Sequence, residues 1–343
     1  MTPLRIAHVG PVATMTPPDK SGSVGHMTSV LTEGLVARGH DVTLFATADS
    51  RTAATLHATY ARGYWHDDTM WPWELCELFN LAAAVERAAD FDIIHCEVAY
   101  YPMALAFSRV SPTPVLQTLH HSPGVTEVQL WSRYPEAAFV AISNEQARRL
   151  SGLNVVATVL HGIDTGRFAF REAPDDYLLF LGRFTEGKGV LQAIDVARRA
   201  GTRLLLAAAE NDYYRARVAP HVDGQRVVYV GEADHARKVT LLGGARALLY
   251  PVQHPEPFGL VLAEAMACGT PAAALDRGAV REIVDDGLTG AVFGNVDEMA
   301  DGLDRVFALD RRRVREQALR RFGADRMVDE YVTVYRRVAG RPA

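Results

Sequence analysis

A chain of 343 residues that is 48 % hydrophobic and 22 % charged is long for one domain, comfortable for two, and too apolar for a disordered segment. A formal net charge of −5 gives no general electrostatic reason to bind nucleic acid. Three separated cysteines, Cys76, Cys96 and Cys268, form no CxxC pair, which argues against a disulfide framework or structural zinc and for free thiols in a reducing cytoplasm.

In chain order, Leu4–Gly10 reads as a buried strand, not a signal peptide. A loop rich in Gly, Pro and Ser follows to Ser23. Val24–Arg38 then carries Met27, Val30, Leu31 and Leu35 at helical spacing, closed by Gly39. With a strand over Asp41–Ala46, this is a βαβ unit with a glycine-rich first turn. Residues 49–89 are weakly patterned: Tyr64-Trp65 and Trp71-Pro72-Trp73 suggest a loop with aromatic anchors, then a helix from about Glu74. Asp92–Cys96, Pro114–Leu119, Ala137–Ile142 and Val155–Leu160 are continuously apolar, as parallel strands are.

A second series begins after His161-Gly162-Ile163-Asp164. Strands are expected over Tyr177–Gly182, Arg203–Ala208, Val227–Val230, Ala247–Pro251 and Ala272–Leu275. Helices are expected over Gly189–Ala200, Ala236–Gly243 and Leu260–Cys268. The expected fold is therefore α/β, with two doubly wound Rossmann-like domains facing across a cleft. The expected division is 1–165, 166–320, and a C-terminal helix over 321–343 that packs back on the N-terminal domain. Arg312–Ala339 reads as one or two arginine-rich helices with a solvated face in preference to a membrane-surface patch. No run approaches about 18 apolar residues, so no segment is expected to span a bilayer.

Several places carry chemistry. Ser21-Gly22-Ser23-Val24-Gly25 allows close backbone approach to a ligand, although it is not GxGxxG. Gly182-Arg183 and Lys188-Gly189 follow the second series' first strand, where open α/β sheets bind ligands. Arg183 offers a forked donor and Lys188 a point charge, which suits a diphosphate. Lysine is rare here: only Lys20, Lys188 and Lys238 occur, and the other 33 of 36 basic residues are arginines. His120-His121 follow a strand end and suit a sugar hydroxyl, whereas His8, His40 and His95 read as structural. Glu256 and Glu264 flank a Pro-Phe-Gly turn and a small-residue run. A loop feeding a helix N-terminus there can meet an anion while carboxylates hold hydroxyls, and anion plus polyol describes a nucleotide sugar. There is no HExxH and no GxSxG. Asp90-Phe91-Asp92 has the form DxD but precedes a strand, so it faces away from the ligand edge, and no metal is expected.

With these blocks in view, the chain resembles the family 4 retaining glycosyltransferases of the GT-B fold over nearly its whole length. The most specific block runs from Glu256-Pro257-Phe258-Gly259-Leu260 through Glu264 to Pro271 and matches the family's EX7E motif. Arg38-Gly39-His40-Asp41-Val42, Ala141-Ile142-Ser143, His161-Gly162-Ile163-Asp164, Gly182-Arg183 and Gly287-Leu288-Thr289-Gly290 support it. The resemblance implies that Arg183 and Lys188 bind the donor diphosphate and Glu264 the ribose hydroxyls. It further implies that Glu256 and His120 meet the transferred sugar, with backbone N–H groups around Phe258, Gly259 and Leu260 on the phosphates.

The family's first turn often has a Gly-Gly pair followed by an acidic residue. Here Gly22-Ser23 stand in that turn, with Gly25 at the acidic position, and His161 replaces the usual Asn. Gly22 and Ser23 keep a donor-approach role. The implied function is retaining, metal-free transfer of a hexose from a nucleotide-diphosphate sugar. A UDP-sugar is favoured over GDP- or dTDP-sugars, and no cofactor is expected. The acceptor is a hydroxyl of a small molecule, saccharide or lipid. The alternatives are a GT-B sugar-nucleotide epimerase or a silent nucleotide-sugar-binding partner protein. The expected protein is cytoplasmic, a monomer or homodimer, with membrane contact not favoured. Segments Tyr64–Glu74 and Ser122–Tyr134 are expected at the acceptor site. Their aromatics (Tyr64, Trp65, Trp71, Trp73, Trp131) either stack on the acceptor or pack beneath the loop.

Overall fold

The computed structural model describes residues 2–20, 22–98 and 103–341. The chain forms two compact units: Met1–Gly162 together with Ala324–Ala343, and Ile163–Gly323.

The first unit is built on seven parallel strands: β1 (Arg5–Val9), β2 (Asp41–Thr47), β3 (Thr55–Tyr60), β4 (Ile93–Cys96), β5 (Val115–Thr118), β6 (Ala138–Ala141) and β7 (Asn154–Thr158). Their order is β3-β2-β1-β4-β5-β6-β7. The chain winds outward from β1 in one direction and from β4 in the other, so the topological switch point lies between them. Central strands are covered on both faces, which is why they read as unbroken apolar runs. β3 does not read that way. It is an edge strand with half-exposed side chains, and it lies inside the weakly patterned stretch 49–89.

One face of this sheet packs Ile6, Val42, Ile93, Leu116 and Val140 against Leu31 and Leu35 of the helix Ser23–Ala37. Met327, Val328, Tyr331 and Tyr335 of the helix Ala324–Val338 complete the same core. The two helices touch at Gly34, where a Cβ would lie 2.4 Å from Val328 Cγ2. Only glycine lets the backbones approach that closely.

The second unit has six parallel strands: β8 (Leu178–Leu181), β9 (Leu204–Ala207), β10 (Val227–Tyr229), β11 (Ala247–Tyr250), β12 (Ala272–Leu275) and β13 (Gly290–Phe293). Their order is β10-β9-β8-β11-β12-β13, with the switch point between β8 and β11. β13 escapes the sequence reading because four residues beginning with glycine carry no periodicity. The helix Val190–Arg199 buries Val190, Ala193, Ile194 and Ala197, the i, i+3, i+4, i+7 stripe, against Phe180, Leu206 and Leu249.

Some of the C-terminal arginines depart from the expected solvated face. Two helices form, Arg311–Phe322 and Ala324–Val338, but their arginines are not simply a solvated face. Arg311, 8 % exposed, donates to the Arg171, Ala245 and Gly243 carbonyls at 2.8, 2.9 and 2.7 Å and to Thr270 Oγ1 at 2.8 Å. Burial lowers its guanidinium pKa to about 10. Arg326 caps the Leu160 and His161 carbonyls at 2.7 and 3.1 Å, and Arg336 the Thr2 carbonyl at 2.8 Å. These side chains satisfy strand and helix ends that would otherwise be orphaned. Among the described residues, no helix is long and apolar enough to cross a membrane.

Candidate active site

In the second unit, two loops leave adjacent strands at the switch point. β8 runs into Gly182, the exposed Arg183, and a single helical turn over Glu186–Lys188. β11 runs into 251–259 and then the helix Leu260–Ala267. The Gly187 carbonyl stitches the loops together, accepting from Gln253 N and from His254 Nδ1, each at 2.9 Å. Gly189 follows with φ +75°, and a Cβ there would lie 1.9 Å from the Pro251 carbonyl oxygen. That contact admits no side chain, so the glycine sets how close the loops come.

The closure pairs Lys188 Nζ with Glu256 Oε2 at 2.5 Å. Glu256 is 7 % exposed, and its backbone carbonyl is held by Ala279 N at 2.8 Å. The Tyr250 hydroxyl donates to the same carboxylate; burial first, and then the Glu256 charge, push that phenol well above its ordinary pKa. Phe258 is buried edge-on against Phe322, with centroids 5.9 Å apart. Gly259, φ +87°, starts the helix, and Leu260 is its first residue.

Glu264 sits at the fifth position of that helix, also 7 % exposed. Lys238 Nζ, from the helix His235–Gly244, donates to Glu264 Oε1. Lys238 also lies 5.7 Å from the Phe168 ring centre. The two glutamates of the motif therefore each hold a lysine, and two of the chain's three lysines are used this way. Sequence reasoning placed Lys188 here and missed Lys238. Its signal was the same scarcity of lysine.

In the first unit, the switch point holds histidines. His8 on β1 and His95 on β4 are register partners, stacked with centroids 5.0 Å apart at 6°. Glu97 follows β4 and is 2 % exposed. Its Oε1 lies 3.4 Å from His8 Nε2 and 3.6 Å from His95 Nε2, and its Oε2 takes a short hydrogen bond from His120 Nε2. Burial opposes ionisation of Glu97, but the neighbouring His95 and His120 rings and the hydrogen bonds from His120 and His8 hold it well below the usual carboxylate range. His161 stacks on His120 at 5.3 Å and 15°. Burial lowers both His95 and His161 to about 3, leaving them neutral. His8 and His95, read from sequence as structural, thus share a carboxylate with His120. Glu97 itself was missed, although it sits at a strand's carboxyl end, where sheet ligands gather.

His40 is structural, accepting from Leu4 N at 3.0 Å. Asp92 of the DxD sequence bonds Arg5 and Arg341 at the start of β4, away from the carboxyl edge. Ser21 lies outside the described residues. Gly22, φ +139°, caps the helix Ser23–Ala37, and Ser23 is its exposed first residue. The aromatic segments divide. Trp65 and Trp71 are exposed, while Trp131 is buried and Tyr64 leans on Trp73 at 6.1 Å.

Two family models meet near the boundary between the units. The model described as Glycosyltransferase Family 4 matches residues 24–167, and that described as Glycosyl transferases group 1 matches residues 164–321. The chain belongs to the family 4 glycosyltransferases. It is 27 % identical over 330 residues to a glycogen synthase of Mycobacterium tuberculosis, across 80 % of this chain and 79 % of that one. It is 27 % identical over 291 residues to a phosphatidyl-myo-inositol mannosyltransferase of the same organism, across 74 % and 76 %. Among solved structures, HepE of Anabaena in complex with UDP and glucose superposes with a TM-score of 0.74 at 16 % identity, over 96 % of this chain and 99 % of that one. That likeness establishes the fold as GT-B. By its family models and curated relatives the chain is a glycosyltransferase.

Proposed function

We propose that this glycosyltransferase moves a hexose from a nucleotide-diphosphate sugar, with a UDP-sugar favoured, to an acceptor hydroxyl with retention of anomeric configuration. The observation that carries the reading is the pair of glutamate–lysine contacts at the β8/β11 edge, Lys188–Glu256 and Lys238–Glu264. Each sets a cation and a buried carboxylate side by side, and a nucleotide sugar needs both. Arg183 and Lys188 meet the diphosphate, with N–H groups of the turn Phe258-Gly259-Leu260. Glu264 holds the ribose hydroxyls, with Lys238 fixing its carboxylate. Glu256 and His120 meet the transferred sugar. UDP with HepE supports the choice of base.

In the reaction, the bond from the anomeric carbon to the diphosphate oxygen breaks and the acceptor oxygen bonds to the same face. The departing phosphate oxygen takes the acceptor's proton. Protein groups contribute chiefly by stabilising charge on the leaving diphosphate. Arg183 and Lys188 supply that positive charge, so no metal is invoked. The three buried free thiols agree with a reducing, cytoplasmic setting.

The test is a panel of UDP-, GDP- and dTDP-sugars assayed for nucleotide release, with NMR of the product's anomeric proton. One donor class should be turned over with retention. Unaltered turnover in both Lys188→Ala and Glu256→Ala would sink the assignment.

A further inference from the structure

Glu97 is an ionised carboxylate buried in the first unit, and its two oxygens are divided. Oε1 faces His8 and His95, 3.4 and 3.6 Å away, and Oε2 faces His120. A carboxylate only accepts hydrogen bonds, so the hydrogen between His120 and Glu97 belongs to His120 Nε2.

The groups behind Glu97 are fixed in turn. Thr32 Oγ1 lies 2.7 Å from His8 Nδ1 and 2.8 Å from the Thr28 carbonyl, so both nitrogens of His8 are engaged. His95 has both nitrogens occupied, by Tyr335 Oη at 2.7 Å and Thr118 Oγ1 at 2.8 Å, and Tyr331 Oη holds Thr118 at 2.8 Å. The C-terminal helix Ala324–Val338 thus buttresses the cluster with two buried tyrosines. The stacked, register-paired rings of His8 and His95 both lie against Oε1 of the carboxylate. His161 covers one face of the His120 ring. Ring plane and tautomer of His120 are both determined by groups that are themselves buried.

We infer that Glu97 is the positioning residue for His120: it keeps a hydrogen on Nε2 and holds the ring so that Nδ1 is left to meet a substrate hydroxyl. This rests on the proposed part of His120 in transfer, because without it Glu97 has nothing to position. Glu256 of the EX7E motif is paired instead with Lys188 at 2.5 Å, so the two acidic residues do different work.

Two measurements test the inference on the full-length protein. Long-range 15N–1H spectra of the wild type should show the Nε2–H tautomer for His120, and a neutral His120 with its hydrogen on Nδ1 would overturn the proposal. This reading needs no turnover and no variant. UDP release from UDP-glucose is then compared for Glu97→Gln, His120→Ala and the double variant. Glu97→Gln should lose about 10–100-fold in kcat, the range typical of outer-sphere positioning groups, with KM for UDP-glucose little changed. The double variant should be no slower than His120→Ala, because residues acting as one unit are not additive. Additive losses, or wild-type turnover in Glu97→Gln beside an impaired His120→Ala, refute the role of Glu97. Wild-type turnover in His120→Ala refutes the part of His120 in transfer, while the spectra still decide the tautomer.

Discussion

Replacing Lys188 with methionine removes the ammonium and keeps most of the stem's volume. Glu256, 7 % exposed, then retains the Tyr250 hydroxyl as partner but loses the cation 2.5 Å away. A buried polar group left short of a partner costs about 1–3 kcal/mol. Lys188 keeps 20 % of its side chain exposed, which argues for the lower part of that range and below the ~3–5 kcal/mol of a sealed pair broken on one side. For a unit this size, a loss of about 1–2 kcal/mol lowers Tm by roughly 2–8 °C. Turnover should fall further: a donor aimed at charge developing in the transition state is worth about 10²–10³-fold.

The double variant Lys188→Met/Glu256→Gln separates the two effects. A neutral amide needs no counter-charge, so Tm should return toward the wild-type value while nucleotide release stays low. Calorimetry and nucleotide-release kinetics on the same preparations read both. Recovered turnover in the double variant would show that Lys188 only neutralises Glu256. An unchanged Tm in Lys188→Met would show that the ion pair is not formed in solution.

Gly189→Ala should both destabilise the second unit and abolish donor binding, measured by calorimetry, because φ is +75° and the new Cβ meets the Pro251 oxygen at 1.9 Å; unchanged affinity would refute the close approach of the two loops. Burial raises the Glu77 carboxyl from 4.5 to about 8, against the lowering effects of Val12 N and the Tyr64 hydroxyl. A raised acid favours folding below its unfolded value and loses that contribution as pH rises through the folded value. The wild type should therefore lose Tm relative to Glu77→Gln between about pH 4.5 and about pH 8, and parallel Tm curves would contradict a buried neutral Glu77. Trp71 and Phe79 are 76 % and 56 % exposed, so Trp71→Ala and Phe79→Ala should change stability by less than about 0.5 kcal/mol. Trp71 lies in the segment expected at the acceptor site, so Trp71→Ala should raise acceptor KM and leave donor hydrolysis untouched, with Phe79→Ala as the control; an unchanged acceptor KM in Trp71→Ala would remove Trp71 from the acceptor site.

Local pattern carried much of this molecule. Continuous apolar runs announced the central parallel strands because strands covered on both faces have no polar side to show. The edges were silent: β3 is half exposed and β13 is four residues starting at Gly290. The Glu256–Glu264 segment was legible because its turn, helix start and two carboxylates are contiguous in sequence. Arg312, Arg313 and Arg320 form the expected solvated face, whereas Arg326 and Arg336, like Arg311 just before them, escaped the reading because their partners are backbone carbonyls elsewhere in the chain, which leave no trace in charge patterning.

By itself the sequence determined the two-sheet α/β class, the family and the segment that bears the donor chemistry, since each is written in neighbouring residues. Tertiary structure alone decided the partners. Lys188 reaches Glu256 from 68 residues away and Lys238 reaches Glu264 from 26, while His8, His95 and His120 converge on Glu97 from β1, β4 and the end of β5. Those meetings follow from which strands lie side by side at the switch points. Strand order is a property of the crossovers between strands, and no periodicity within a strand records it.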